Sequence, residues 1–352
     1  MGKVAAARKL AAAAAYGGGG VSLLGASLYG VLATEARLAR RMIGGAIDDA
    51  VRDATGWYGR GRPGQPVKVA LLGDSSASGY GVDSVEETPG AHLASGLAEA
   101  TDRPVYLQEL CVVGAQSRDL AVQIDQALEM EPDVALILIG TNDVTHRARP
   151  SESVRLLELG VRRLRDAGVE VIVGTCPDLG TIEPIAPPLR QVARSWSRRL
   201  AAAQTIAVVE AGGRTVSLGS ILGPEFAASP KVLFGPDQFH PSAAGYASLA
   251  SVLLPSILAA VGAIPAEEIE PEPFRGEGVL PISYAAVEAT RTPGTEIDGT
   301  EVSGSKRGVR GRWVLLRHRR RQPEAETAAP EPTGQSLSAV EPVEATDEHA
   351  TT

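Results

Sequence analysis

"VKVALLGDSSASGYG", residues 67–81, joins an apolar run to Gly-Asp-Ser and then to a glycine-rich turn. Val67–Leu72 has the length and composition of a buried strand, and the small polar residues behind it are those of a turn. Thr88 and Pro89 follow as N-cap and first residue of a helix, "AHLASGLAEA". The same alternation then recurs. "RPVYLQELCVVG" (103–114) is a second strand, and Ser117 is placed to cap the helix "RDLAVQIDQALEM". "PDVALILIGTND" (132–143) is a third strand, whose unbroken Val/Leu/Ile run suits a strand covered on both faces. A helix from about Ser151, the strand "VEVIVGTCPD" (169–178), and a long helix from about Pro188 to Ala211 come next. The short strand or loop "RTVSLGSIL" (214–222) and a last helix with Pro241 at its start complete the series. Five strands alternating with helices over short connections predict an α/β fold: a three-layer α/β/α, doubly wound, flavodoxin-like five-stranded parallel sheet ordered 2-1-3-4-5.

In such a sheet the ligand crevice lies beyond the carboxyl ends of the strands. Asp74, Ser75, Gly114, Asn142 and Asp143 each fall at such an end, so they converge in space although they are far apart in the chain. A serine nucleophile needs a base, a group to orient the base, and donors for the oxyanion. Of the five histidines, His318 and His349 lie in the C-terminal tail, His92 on the first helix, and His146 in a loop where it reads as a second layer of the site or as surface. His240 differs: "FGPDQFHPSAAGY" puts Asp237 three residues before it, close enough for the carboxylate to hold one imidazole nitrogen while the other faces the crevice. The amides of Ser75 and Gly114 and the side chain of Asn142 are the available oxyanion donors. Gly114 has no Cβ to obstruct a substrate, although a plain turn glycine would look the same. Ser76 is the alternative to Ser75. Asn142 and Asp143 also read as a turn former and a cap.

Gly73-Asp74-Ser75 with Gly79, then Gly114, then Gly140-Thr141-Asn142-Asp143, then Asp237-x-x-His240-Pro241 together resemble the SGNH hydrolases, the GDSL-type esterases and lipases, over about Val67 to Gly262. The resemblance implies the SGNH hydrolase fold and a serine hydrolase with Ser75 as nucleophile, His240 as general base and Asp237 as its orienter. The resemblance also implies that Ser75, Gly114 and Asn142 form the oxyanion hole, and no cofactor or metal is expected. Family members often carry Asn two residues before the second-block glycine, where this chain has Val112. The expected substrate is a small-molecule, lipid or glycan ester. Without a long insertion to act as a lid, short to medium acyl or O-acetyl groups fit best, at a rim built from residues 141–150, 175–189 and 222–236. Arg147 and Arg149 on that rim read as contacts for an anionic substrate group or as solvated loop residues. The alternatives are an acyltransferase on an envelope glycan or lipid, and a non-catalytic membrane-associated binding module. A nucleotide site is disfavoured, because neither a lysine-containing phosphate loop nor a dinucleotide glycine spacing follows the first strand.

Three parts are expected: residues 1–60, 61–264 for the hydrolase domain, and 265–352. Leu10–Thr34 carries no charge for 25 residues, and Lys3, Arg8 and Lys9 precede it. It reads as a signal-anchor or a signal peptide, or as a small-residue helix packed on the domain. A membrane-associated or secreted envelope protein follows from the first two readings, and a cytoplasmic one from the third. Past Ile264 the chain is rich in Pro, Glu, Thr and Gly and reads as a disordered tail. Within it residues 306–321 hold eight Lys or Arg and no acid, a patch suited to an anionic membrane surface, to nucleic acid without sequence preference, or to a solvated charge run, and the residues beyond are acidic. The formal net charge of −8 argues against nucleic acid as the main partner of the whole protein, and no specific nucleic-acid binding is expected. Cys111 and Cys176 end strands three spacings apart, roughly 14 Å, whereas a disulfide needs its Cα atoms within about 7 Å.

Overall fold

The computed structural model describes residues 28–38, 51–263, 294 and 296–297. Residues 10–27 of the uncharged segment, the basic patch 306–321, the acidic end, His318 and His349 lie outside the described residues.

Strands β1 (Gly56–Tyr58), β2 (Val67–Gly73), β3 (Val105–Glu109), β4 (Val134–Leu138), β5 (Glu170–Gly174), β6 (Arg214–Val216) and β7 (Glu296–Ile297) form one sheet in the order β1-β3-β2-β4-β5-β6-β7. β2 to β6 are parallel and in the expected 2-1-3-4-5 order. Helices α1 (28–38), α2 (Pro89–Thr101), α3 (Leu120–Glu129), α4 (Thr141–Thr145), α5 (Pro150–Asp166) and α6 (Leu189–Glu210) follow in chain order. The short α7 (Leu218–Ile221), α8 (Gly223–Ala228) and α9 (Pro230–Leu233) precede the long α10 (Ala243–Ala260).

Alternate residues of a strand point to opposite faces, and here both faces are apolar. Val69 and Leu71 of β2 with Leu136 and Leu138 of β4 pack under α2 and α10, through Leu97, Tyr246 and Leu253. Ala70, Leu72, Ala135 and Ile137 pack under α3 and α5, through Ile124, Leu157 and Leu164. All five residues of β4 are buried, as its composition requires. Burying each such large aliphatic side chain contributes about 1.5–3 kcal/mol. Thr88 caps α2 as expected, its hydroxyl accepting the Ala91 amide at 3.1 Å. Among the described residues only α10 has the length and apolarity to cross a bilayer, and half of that stretch is buried within the domain, where it packs on α2.

The structure corrects four details. The sheet has seven strands, because β1 adds antiparallel to β3 and β7 adds to β6. Its outer strands lie on both sides of the expected 61–264 domain. β1 is held by Trp57 packing on Tyr106, with ring centres 5.2 Å apart, and by the Ala54 amide donating to Glu109. At the other edge the Thr205 hydroxyl donates to Glu296 at 2.8 Å, so two residues of the expected tail are strand. Ser117 does not cap α3, because its amide and hydroxyl are both directed to the Asp143 carboxylate. α10 is capped by Ser242, whose hydroxyl accepts the Gly245 amide, while Pro241 pairs with Phe234 ahead of the helix.

Candidate active site

β2 ends in a tight exit. Gly73 has φ 137°, and a Cβ there would lie 2.0 Å from the Leu138 carbonyl of β4. Only glycine permits this approach, which lets the Asp74 amide donate to that same carbonyl at 3.1 Å. Gln123 of α3 completes the anchor, accepting from the Gly73 amide at 2.8 Å and donating to its carbonyl at 3.0 Å. The chain then turns over Asp74, whose carbonyl accepts the Ala77 and Ser78 amides. Ser75 is thereby raised at the carboxyl end of the central strands, and it is 7 % exposed.

The Ser75 hydroxyl is 2.9 Å from His240 Nε2, and His240 Nδ1 is 2.6 Å from Asp237 Oδ2. The other Asp237 oxygen accepts the Phe239 and His240 amides, both at 3.0 Å, so the loop before α10 folds around its own carboxylate. Burial on its own raises the Asp237 pKa, but the hydrogen bonds from the His240 ring and these amides outweigh it and hold the carboxyl below its ordinary value. An ionised Asp237 that only accepts requires Nδ1 to carry the proton, which leaves Nε2 to accept from the serine hydroxyl. The imidazole is wedged between the rings of Tyr80 and Phe239, with ring centres 4.7 and 4.9 Å away. Tyr246, fully buried, holds the Tyr80 carbonyl through its hydroxyl at 2.9 Å. Ser76, the alternative nucleophile, is committed elsewhere: its hydroxyl is 2.5 Å from Asp74 Oδ1.

Asp74 has a second partner. Its Oδ2 accepts from the side-chain amide of Asn142 at 3.3 Å, which ties the first residues of α4 to the serine turn. Burial raises the Asp74 pKa, against the opposing pull of the Ser76 hydroxyl and amide. Gly114 lies in the loop after β3, which docks on β2 through the Val112 amide and the Gly73 carbonyl at 3.1 Å. Gly114 has φ 82° and open space around it. Val112 and Val113 beside it are exposed, so the position where the resemblance leads one to expect Asn faces solvent.

Asp143 is the residue whose part the sequence conceals. It is 3 % exposed and accepts from the Ser117 amide and hydroxyl and from the Ser153 hydroxyl at 2.6 Å. One carboxylate therefore joins the loop carrying Gly114, the helix carrying Asn142 and the start of α5. The Gly140-Thr141-Asn142-Asp143 block singled the residue out, but Ser153, ten residues on, carried no signal. His146 is exposed and its Nδ1 lies 3.0 Å from the Asn142 carbonyl, while Arg147 and Arg149 are exposed on the rim. Among the described residues no cluster of His, Cys, Asp or Glu has the grouping to hold a metal.

Beside Ser75 and His240 opens a pocket of about 100 Å³. Each expected rim segment contributes to it, through Thr141, through Leu179 and Ile182, and through Leu222 and Phe226. Asp178, also in its wall, is turned to the Arg198 guanidinium at 2.5 Å.

The profile of the GDSL-like Lipase/Acylhydrolase family matches residues 71–248, which include the carboxyl ends of β2 to β6. A GDSL-like esterase of Mycobacterium tuberculosis is 42% identical over 247 residues, covering 66% of this chain and 77% of that protein. Among solved structures, the lipase/acylhydrolase of Enterococcus faecalis aligns at 20% identity over 54% of this chain and 95% of its own, with a TM-score of 0.44. Axe2, an acetylxylan esterase of Geobacillus stearothermophilus, aligns at 19% identity over 57% and 97%, with a TM-score of 0.42. By the extent of the profile match and by its relative of known kind, this chain belongs to the GDSL-like lipase/acylhydrolase family and is an ester-hydrolysing enzyme.

Proposed function

We propose that the enzyme is a serine esterase that cleaves carboxylic esters with short to medium acyl groups through an acyl-serine intermediate. The observation that carries this reading is the continuous Ser75–His240–Asp237 hydrogen-bond chain, 2.9 and then 2.6 Å. Ser75 Oγ attacks the carbonyl carbon while its proton passes to His240 Nε2. The resulting oxyanion is held by the amides of Ser75 and Gly114 and by Asn142, and Asp237 stabilises the imidazolium. As the ester C–O bond breaks, His240 returns the proton to the leaving alcohol. Water then repeats the sequence on the acyl-serine, releasing the acid and restoring the serine. An alcohol taking the place of this water would make the enzyme an acyltransferase, so product analysis in the presence of an added alcohol belongs with the assay.

The test is turnover of p-nitrophenyl esters and labelling by a fluorophosphonate. Ser75→Ala and His240→Ala each lower kcat by about 10³-fold or more and retain the wild-type circular dichroism spectrum. The probe adds once, to Ser75. Near-wild-type turnover in both folded variants would overturn the mechanism, and a folded wild-type protein that takes up no probe would favour a binding module.

A further inference from the structure

The pocket beside Ser75 is walled chiefly by apolar side chains, Leu138, Leu179, Ile182, Leu218, Leu222 and Phe226 among them. Gly114 and Asn142, the expected oxyanion donors, are not part of its lining. A carbonyl carbon on Ser75 Oγ that directs its oxygen to those donors has two other substituents, and one of them enters the pocket. We propose that this is the acyl chain, and that the pocket selects an acyl group of about four or five carbons. The inference rests on the serine esterase reading above.

Two physical arguments lead to it. The first assigns the pocket to the acyl side. The leaving alcohol must depart from His240 and water must arrive there, and both need a wet path. The loop of Val112, Val113 and Gly114, docked on Gly73 two residues before Ser75, is exposed to solvent, whereas the pocket is walled by leucine, isoleucine and phenylalanine. The acyl group is the part that stays covalently bound between the two steps, so an apolar pocket is of use to it. The second argument concerns size. An apolar cavity of about 150 Å³ takes up benzene, so a pocket of about 100 Å³ takes about four carbons. Each buried methylene is worth about fourfold in kcat/KM, from about 0.8 kcal/mol of transfer energy. Butyryl therefore exceeds acetyl by about 15-fold, and the gain ends once the pocket is full.

Two residues set the limit. Leu222 is buried in the wall, and its truncation lengthens the space. Gly223, the first residue of α8, also lines the pocket, and a Cβ there would meet only the Asp178 Cβ at 3.7 Å, an ordinary contact. Gly223→Val therefore shortens the space without straining the backbone.

The experiment measures kcat/KM of the full chain on p-nitrophenyl acetate, butyrate, hexanoate and octanoate, and on a second series of butyrate esters of methyl, butyl and hexyl alcohols. The wild type is expected to peak at butyrate or just beyond in the acyl series and to vary less than threefold in the alcohol series. Leu222→Ala moves the acyl optimum to hexanoate or longer, and Gly223→Val moves it to acetate. A flat acyl series, or variants that shift the alcohol series in place of the acyl series, would overturn the assignment while activity and the fluorophosphonate adduct on Ser75 leave the serine mechanism standing. Absence of activity and adduct in a folded wild type would overturn that mechanism and this inference with it. Should either variant fail to fold by circular dichroism, the wild-type pair of series and the other variant still decide the matter.

Discussion

Glu109, at the end of β3, offers a test of the fold's electrostatics away from the candidate active site. Its Oε2 accepts the Ala54 amide at 3.0 Å, but its Oε1 is buried with no hydrogen-bond partner among the described residues. Gly90 of α2 packs so closely that a Cβ there would be 2.3 Å from this oxygen. Burial pushes the carboxyl from its ordinary 4.5 up to about 7, with the Ala54 amide pulling down and the Asp53 charge pushing further up. Between those two values the folded protein holds a proton that the unfolded chain has released, so stability falls as pH rises through that window. The full displacement corresponds to about 3 kcal/mol, and about 2 once water access to a partly exposed carboxyl is allowed for. For a domain of this size that is about 4–8 °C in Tm. Glu109→Gln removes the titration and keeps an acceptor for Ala54. Thermal melts at about pH 5 and about pH 8 should show the wild type losing this much more than Glu109→Gln, with the variant the more stable of the two at the higher pH. Parallel pH dependences in the two proteins would refute the reasoning, because they would mean that Glu109 ionises as an ordinary carboxyl.

Asp237→Asn replaces the acceptor of the His240 Nδ1 proton and is expected to lower kcat by about 10³–10⁴-fold with the circular dichroism spectrum unchanged. The stability that Asp237 supplies through its lowered pKa is present above the ordinary aspartate value and is lost as pH falls through the folded one; Asp237→Asn should remove that part of the acid unfolding limb, and an unaltered limb would count against it. Asp143→Ala leaves the Ser117 amide and hydroxyl and the Ser153 hydroxyl unpaired in the interior, which should cost about 2–4 kcal/mol in urea denaturation and lower kcat/KM as the loop of Gly114 loosens from α4. A loss under about 0.5 kcal/mol would show that the contact does not hold those segments together.

The central sheet was legible because β4, with Val and Leu on one face and Ala and Ile on the other, has no stable place except the middle, and the short connections left little freedom in the order around it. β1 and β7 were not legible. A strand of three residues, Gly-Trp-Tyr, and one of two, Glu-Ile, are too short to display a period, and each is held by partners distant in the chain. Among the site residues, Ser75, Asp237 and His240 could be named because histidine is scarce and Asp-x-x-His is local. Ser117 was misjudged for the opposite reason: a serine ahead of a helix reads as its cap, but a buried carboxylate 26 residues away competes for its hydroxyl and prevails. Asp74 was placed at a strand end from the sequence, while its hold on Ser76 and Asn142 depends on the turn that Gly73 permits.

β1 and β7 do more than widen the sheet. A parallel sheet ending at β3 and β6 would present two rows of unpaired amides and carbonyls, each a template on which another copy of the chain could add a strand. Three residues from before the catalytic domain and two from well after it occupy those rows, and both are too short to serve as templates in their turn. The stretches that flank the hydrolase core thus cover its two open edges, a task that asks only for a few residues of extended backbone in the right place.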